Sequence, residues 1–316
     1  MSAPCPPKAP LYYTTFLHII ATISFPINIL GLYLVLYKSP GLSRYKYCIF
    51  YVQFTAFLTE IQMSVVAPAY YFFPLLAGFN TNELVARVVT NNHVLMTVWL
   101  FFLANELPAV IWCFVYRHNA AEDMNMDRRN SRVVKKFALT SGQLFPFILA
   151  YVFYYSDITK NEAKVYLTNN YPQCLFWLDS PAFAIYDWRT NSLVAVSGIG
   201  ALITVFLYFL YAVSLAIRTM LLLNRLRSHM SPQTYRMHRT ALIALSLQVI
   251  VPSVLLVLPL GIVFWVIFFE QKELQGLATN STILISLHSV SSTIMMIAAN
   301  PRYRMMVAGW FCKICM

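Results

Sequence analysis

Charge is what this sequence has least of. Asp, Glu, Lys and Arg make up 11% of its 316 residues, against about 25% in an average soluble domain. Acids are the scarcer sign, with 12 Asp and Glu to 23 Lys and Arg. Glycine is sparse too, at nine residues, and none of it forms a phosphate-cradling loop. Gly198-Ile-Gly200 lies in an apolar run without a following Lys-Ser/Thr, and suits close helix packing instead. The six histidines have no zinc-ligand spacing, and no Ser-His-Asp or Cys-His arrangement is suggested. The sequence therefore implies no metal, no cofactor and no enzyme. No polar stretch is long enough to fold as a separate water-soluble domain.

What the chain does have is apolar length. Hydrophobic residues make up 59% of it, and a membrane-crossing helix needs roughly 20 of them in sequence. Seven segments qualify, at 14–37, 47–74, 92–116, 137–155, 192–217, 240–269 and 281–300. The expected fold is all-α, a single polytopic seven-transmembrane bundle over 1–316, with a short N-terminal segment 1–13 and a tail 301–316. MSAPCPPKAP lacks a basic leader region, so the first span is expected to act as the insertion signal.

Lysine and arginine favour the cytoplasmic side. Seventeen of the 23 fall in the loops after spans one, three and five and in the tail. The N-terminus is therefore expected outside and the C-terminus inside, in the plasma membrane. With that placement the positive charge sets topology and contacts anionic lipid, which removes nucleic acid as the reason for it.

Two carboxylates interrupt the apolar runs, Glu60 in FLTEIQMSVVAP and Glu106 in FLANELPAVIWC. Buried charge in hydrocarbon is costly and marks a function or a partner. At 1.5 Å per residue the two lie roughly 20 Å and 14 Å from the inner ends of their spans. They are expected to form a proton- or sodium-sensitive switch, one holding a proton or both sharing a cation. The simpler reading gives each its own hydrogen bonds, to Asn105, Gln62, Thr59 or backbone. His18 and His288 also lie in spans, and a hydrogen-bonded core histidine is the simpler account of each.

Ligand sites are mostly apolar and aromatic. That makes Tyr70 and Tyr71 at the end of span two, and His93, Met96, Trp99 and Phe102 along span three, the candidate lining. Trp177 belongs to an outer loop, YPQCLFWLDSPAFAIYDW, that could fold over as a lid. On the inner face Arg117, Arg225, Arg227, Arg236 and Arg239 are candidates for docking an acidic transducer. Cys5 and Cys174 share the oxidising side and form a candidate disulfide. Cys312 and Cys315 suit palmitate on an interfacial helix. The sequon at Asn280 abuts span seven and is expected to go largely unused.

Several stretches together carry a resemblance: CPPKAPLYYTTFLHIIATISFPINILGLYLVLYKSP, PAYYFFPLLAGFNTN, CFVYRHNAAE, DSPAFAIYDWRTN, SPQTYRMHRTALIALSLQVIVP and HSVSSTIMMIAANPRYR. In this order, over about residues 5–305, they resemble nematode chemosensory receptors of the Str superfamily, most closely serpentine receptor class I, with class H next. The resemblance implies a G-protein-coupled receptor on sensory-neuron cilia, with a small environmental molecule and a heterotrimeric G protein as partners. The chain departs from the large rhodopsin-like family at Tyr116-Arg117-His118, which has no acid before the arginine. It departs again at Asn300-Pro301-Arg302-Tyr303, one residue tighter than that family's usual motif. Two alternatives have other chemistry: a ligand-gated channel subunit of inverse topology, and an ion-coupled transporter using Glu60 and Glu106. The loop charges oppose the first, and the lack of an inverted repeat opposes the second.

Overall fold

A computed structural model of the chain describes residues 5–39, 44–89, 91–124 and 132–314, without the side chains of residues 132 and 311–314. Eleven α-helices are found among the described residues. Long ones run over Leu11–Tyr37 (α1), Tyr45–Ile61 (α2), Asn92–Glu122 (α4), Arg132–Tyr154 (α5), Leu193–Arg225 (α7) and Pro232–Phe268 (α8). Two shorter ones, Gln275–Ser286 (α9) and His288–Ala299 (α10), together make the seventh apolar length. Glu83–Val88 (α3) and Lys160–Asn170 (α6) lie in loops, and Pro301–Ile314 (α11) follows the bundle. Seven helical lengths are thus long and apolar enough to cross a membrane.

Span two is shorter than its apolar run suggests. After α2 the helix widens to a π turn over Gln62–Val66, and Pro68 then ends it. Tyr70 to Phe73 do not crown a helix. Ala69–Tyr71 (β1) pairs antiparallel with Ala77–Asn80 (β2), which pairs with Phe183–Ile185 (β3). The physical reason lies in the residues, since aromatics prefer a pleated strand and Pro68 withholds the amide that a continuing helix needs. Gly78 permits the pairing, because a Cβ there would stand 2.7 Å from the Tyr70 carbonyl oxygen.

This small sheet is the heart of a cap at one end of the bundle. Phe79 stacks on Trp177 at 4.2 Å, and Tyr13 meets Tyr70 edge-on at 5.1 Å. A disulfide from Cys5 to Cys174, with Cα atoms 5.5 Å apart, ties the N-terminal segment to the same cap. The opposite end is basic. There Leu34, Val35, Ile111, Phe114, Leu215 and Leu242 form a second buried cluster joining α1, α4, α7 and α8.

Candidate functional site

The centre of the bundle is polar. Small polar residues recur at helical spacing on three helices: Ser24 and Asn28 on α1, Gln53 and Glu60 on α2, Ser289, Ser292 and Thr293 on α10. All are buried, and they meet. Glu60, 2% exposed, accepts hydrogen bonds from the Ser24 hydroxyl and from Asn28 Nδ2, the latter at 2.8 Å. Asn28 Nδ2 also donates to Ser289 Oγ at 3.0 Å. Thr293 Oγ1 lies 2.6 Å from both Asn28 Oδ1 and Gln53 Oε1. One hydroxyl hydrogen serves only one acceptor, so half a turn of the Gln53 amide, presenting Nε2 to Thr293 and Oε1 to Ser292, satisfies all three. Gly31 makes the approach possible, since a Cβ there would stand 2.5 Å from Thr293 Cγ2.

Glu106 belongs to a neighbouring unit. His288 opens α10 just past the break after Ser286, and its ring bridges two helices. Its Nδ1–H donates to the Ile285 carbonyl at 2.6 Å, and its Nε2 lies 2.9 Å from Glu106 Oε1. A single proton between Nε2 and Oε1 leaves the pair with no net charge, whichever atom carries it. Among the described residues no hydrogen bond joins Glu60 to Glu106. The partners are not those expected, for Gln62 donates to the Leu95 carbonyl, Thr59 to Thr55 and Asn105 to Phe101. Ser24, Asn28 and Ser289 escaped sequence reading because a lone Ser or Asn in a span is common. Their four- and three-residue spacing was the available signal.

The candidate ligand residues separate into two groups. Tyr70 and Trp177 are packed into the cap itself. His93 is buried with both ring nitrogens engaged, Nδ1 with Tyr186 Oη and Nε2 with the Tyr154 carbonyl, each at 3.0 Å. The Tyr154 carbonyl can only accept, so the His93 Nε2 carries a hydrogen toward it. Tyr71 at the end of β1 and Met96, Trp99 and Phe102 on α4 remain half-buried. Tyr71 Oη donates to Met96 Sδ at 3.7 Å. One turn along the same face of α4, the enclosed Trp99 indole N–H has no partner among the described residues.

A family model described as serpentine type 7TM GPCR chemoreceptor Sri matches residues 3–307. The chain belongs to this family. It is a multi-pass membrane protein and a chemosensory G-protein-coupled receptor. No curated protein matches the chain.

At the basic end of this Sri receptor, Arg117 turns inward, its guanidinium 3.8 Å from the Tyr45 ring centroid. A cation over an aromatic face takes the place of an acidic partner there. Beside it, His118 bridges Glu122 at 3.1 Å and Thr219 at 3.0 Å, while Lys135 pairs with Glu122. Arg225, Arg227, Arg236 and Arg239 are exposed, with Arg227 lying over Tyr235. Asn280, in α9, accepts from Tyr12 Oη at 2.9 Å. The side chain of Cys312 and the whole of Cys315 lie outside the described residues.

Proposed function

We propose that this receptor holds its small environmental molecule beneath the cap, against Tyr71, Met96, Trp99 and Phe102. The observation that carries this reading is the unpartnered indole N–H of Trp99. An enclosed donor left unbonded costs about 1–3 kcal/mol, which an acceptor on a ligand would recover. Tyr70 and His93 then shape the roof of the site, and the enclosed Trp177 indole N–H, likewise without a partner among the described residues, offers a second donor from the cap. The cap lies outside the cell, where its disulfide is stable, and the basic end lies in the cytoplasm beside anionic lipid. A heterotrimeric G protein docks there on Arg225, Arg227, Arg236 and Arg239, with Arg117 behind them. Palmitate on Cys312 and Cys315 would hold α11 at the membrane surface. The receptor signals and catalyses no reaction.

The test is a small-molecule panel on cells carrying the receptor. Trp99→Phe is expected to abolish the response to any hit with a hydrogen-bond acceptor, while surface expression persists. An unchanged response removes Trp99 from the site. Tags on the two termini, probed in intact and permeabilised cells, test the orientation. An exposed C-terminus would reverse it.

We also propose that the Glu60 and Glu106 centre biases the receptor between active and inactive packing, in response to protons or sodium. Glu60→Gln is then expected to change basal signalling and its dependence on pH and sodium. No change in any of the three would end this reading.

A further inference from the structure

The cap carries a second place where a small molecule fits, away from the bundle interior. A cleft of about 450 Å³ runs between α6 and the loop 187–190 that leads to α7. Its α6 wall is built from two rows at helical spacing, Asn161–Val165–Asn169 and Glu162–Tyr166–Asn170. Residues four apart share a face, so the wall repeats a polar–apolar–polar order. The facing wall is Asp187, Arg189 and Thr190.

The charges in this cleft do not balance. Arg189 is matched by Glu270 across the loop between α8 and α9, at 3.6 Å. The two carboxylates are not matched. Glu162 Oε2 accepts from the Thr159 amide at 2.8 Å and its hydroxyl at 2.7 Å, and Oε1 has no partner among the described residues. Asp187 accepts from the Arg189 amide at 3.1 Å and from Thr190 Oγ1 at 2.6 Å. All of these donors are neutral. Lys160 and Lys164 lie on α6 but do not line the cleft. Burial pushes the Tyr166 phenol up to about 12, so Tyr166 adds an uncharged aromatic face beside Val165.

We propose that this cleft is a binding site for a small primary ammonium ion with a short apolar tail. The ammonium donates to Glu162 Oε1 and sits in the field of Asp187, and the tail lies on Val165 and Tyr166. Carboxylates paired only with neutral donors leave room for a cation, and an aromatic face adds to its attraction. An organic anion would meet two carboxylates and an arginine already engaged. The site is independent of the reading placed on the bundle, and its test uses neither an agonist nor a G protein.

The experiment measures binding of n-butylamine to the full-length receptor in nanodiscs of zwitterionic lipid, with n-butanol and butyrate as probes of the same size. Saturable binding of the amine alone is expected, weakening as salt screens the charges. Glu162→Gln removes the charge but keeps the helix cap, since Gln serves at that position as Glu does. It should weaken the amine a few-fold, as expected for an exposed carboxylate. Arg189→Gln should strengthen it, because an unfavourable cation is removed. Tyr166→Leu provides a second loss of affinity should Glu162→Gln fail to fold. Binding of butyrate in preference to the amine, no saturable binding, or an amine affinity indifferent to Glu162→Gln would each overturn the proposal.

Discussion

The second and fifth spans differ more than any average of the chain suggests. In the most apolar stretch of each, 61% of the second is buried inside the bundle and 6% of the fifth. The second carries Gln53, Thr55, Thr59, Glu60 and Gln62, all buried. The fifth, α7, is dominated by Leu, Val, Ile and Phe, and only five of its 33 residues are buried. In water the more apolar helix would lie inside. In a bilayer the lipid solvates apolar side chains as well as protein does, so polar groups gain most by turning inward and pairing. The helix that looks least like a membrane span is therefore central, and one far more apolar is peripheral.

Paired substitutions can break that contrast. The largest effect is expected at Asn28 of α1, which holds Glu60 of the second span and bonds Ser289 and Thr293 as well. Asn28→Leu strands a buried carboxylate and should cost about 3 kcal/mol or more. Leu207→Ala, at an exposed position on α7, should change stability by no more than about 0.5 kcal/mol. Thermal unfolding of the two purified variants measures both, and similar losses would refute the inside-out reading of the spans.

The contrast between the polar centre and the lipid-facing fifth span can be sharpened with one chemical change made twice, at Gly31 of α1 and at Gly200 of α7. Gly31→Ala drives a methyl into Thr293 and should cost about 1–3 kcal/mol. Gly200→Ala meets nothing within 4 Å, and replacing a glycine inside a helix should gain about 0.5–1 kcal/mol. Opposite signs in the two melting shifts are the expected result.

The smallest effect lies outside both spans. Thr159 caps α6, and its two donors hold the Glu162 carboxyl below the usual carboxylate range. Because the folded value is lowered, the ionised carboxylate contributes stability in full above its unfolded value, about 4.3. That contribution is lost as pH falls through the lower folded value. Melting of the wild type and of Thr159→Val should therefore differ near pH 6 and by less toward pH 3, where only the cap bond to the Thr159 hydroxyl still separates them. A difference that grows on acidification would contradict the sign.

Seven apolar lengths were legible because run length and loop charge are one-dimensional properties. The presence of Glu60 and Glu106 was legible for the same reason, since a carboxylate in an apolar run stands out. Their partners were not. Which serine or asparagine turns inward depends on how helices rotate against one another, and Asn28 and His288 come from helices far apart in the chain. The lid and its disulfide were legible, but the strands of the cap were missed for a different reason. YYFFPLLAGFN continues an apolar run, and length was given more weight than the strand preference of its aromatics or the stop signal of Pro68. His93 illustrates a third limit, for a histidine at helical spacing among aromatics reads as a ligand contact until both nitrogens are found engaged. Trp99 became informative only when its indole nitrogen was seen to lack a partner.

The central proposal is that a small molecule binds under the cap and that the signal leaves through the basic end. The most direct test is nucleotide exchange on a purified heterotrimeric G protein, driven by reconstituted receptor in the presence of a hit from the small-molecule panel. The account predicts hit-dependent exchange that Arg236→Glu with Arg239→Glu abolishes, while the melting temperature of the receptor stays unchanged. A hit-driven ionic current with no exchange on any heterotrimer would contradict it.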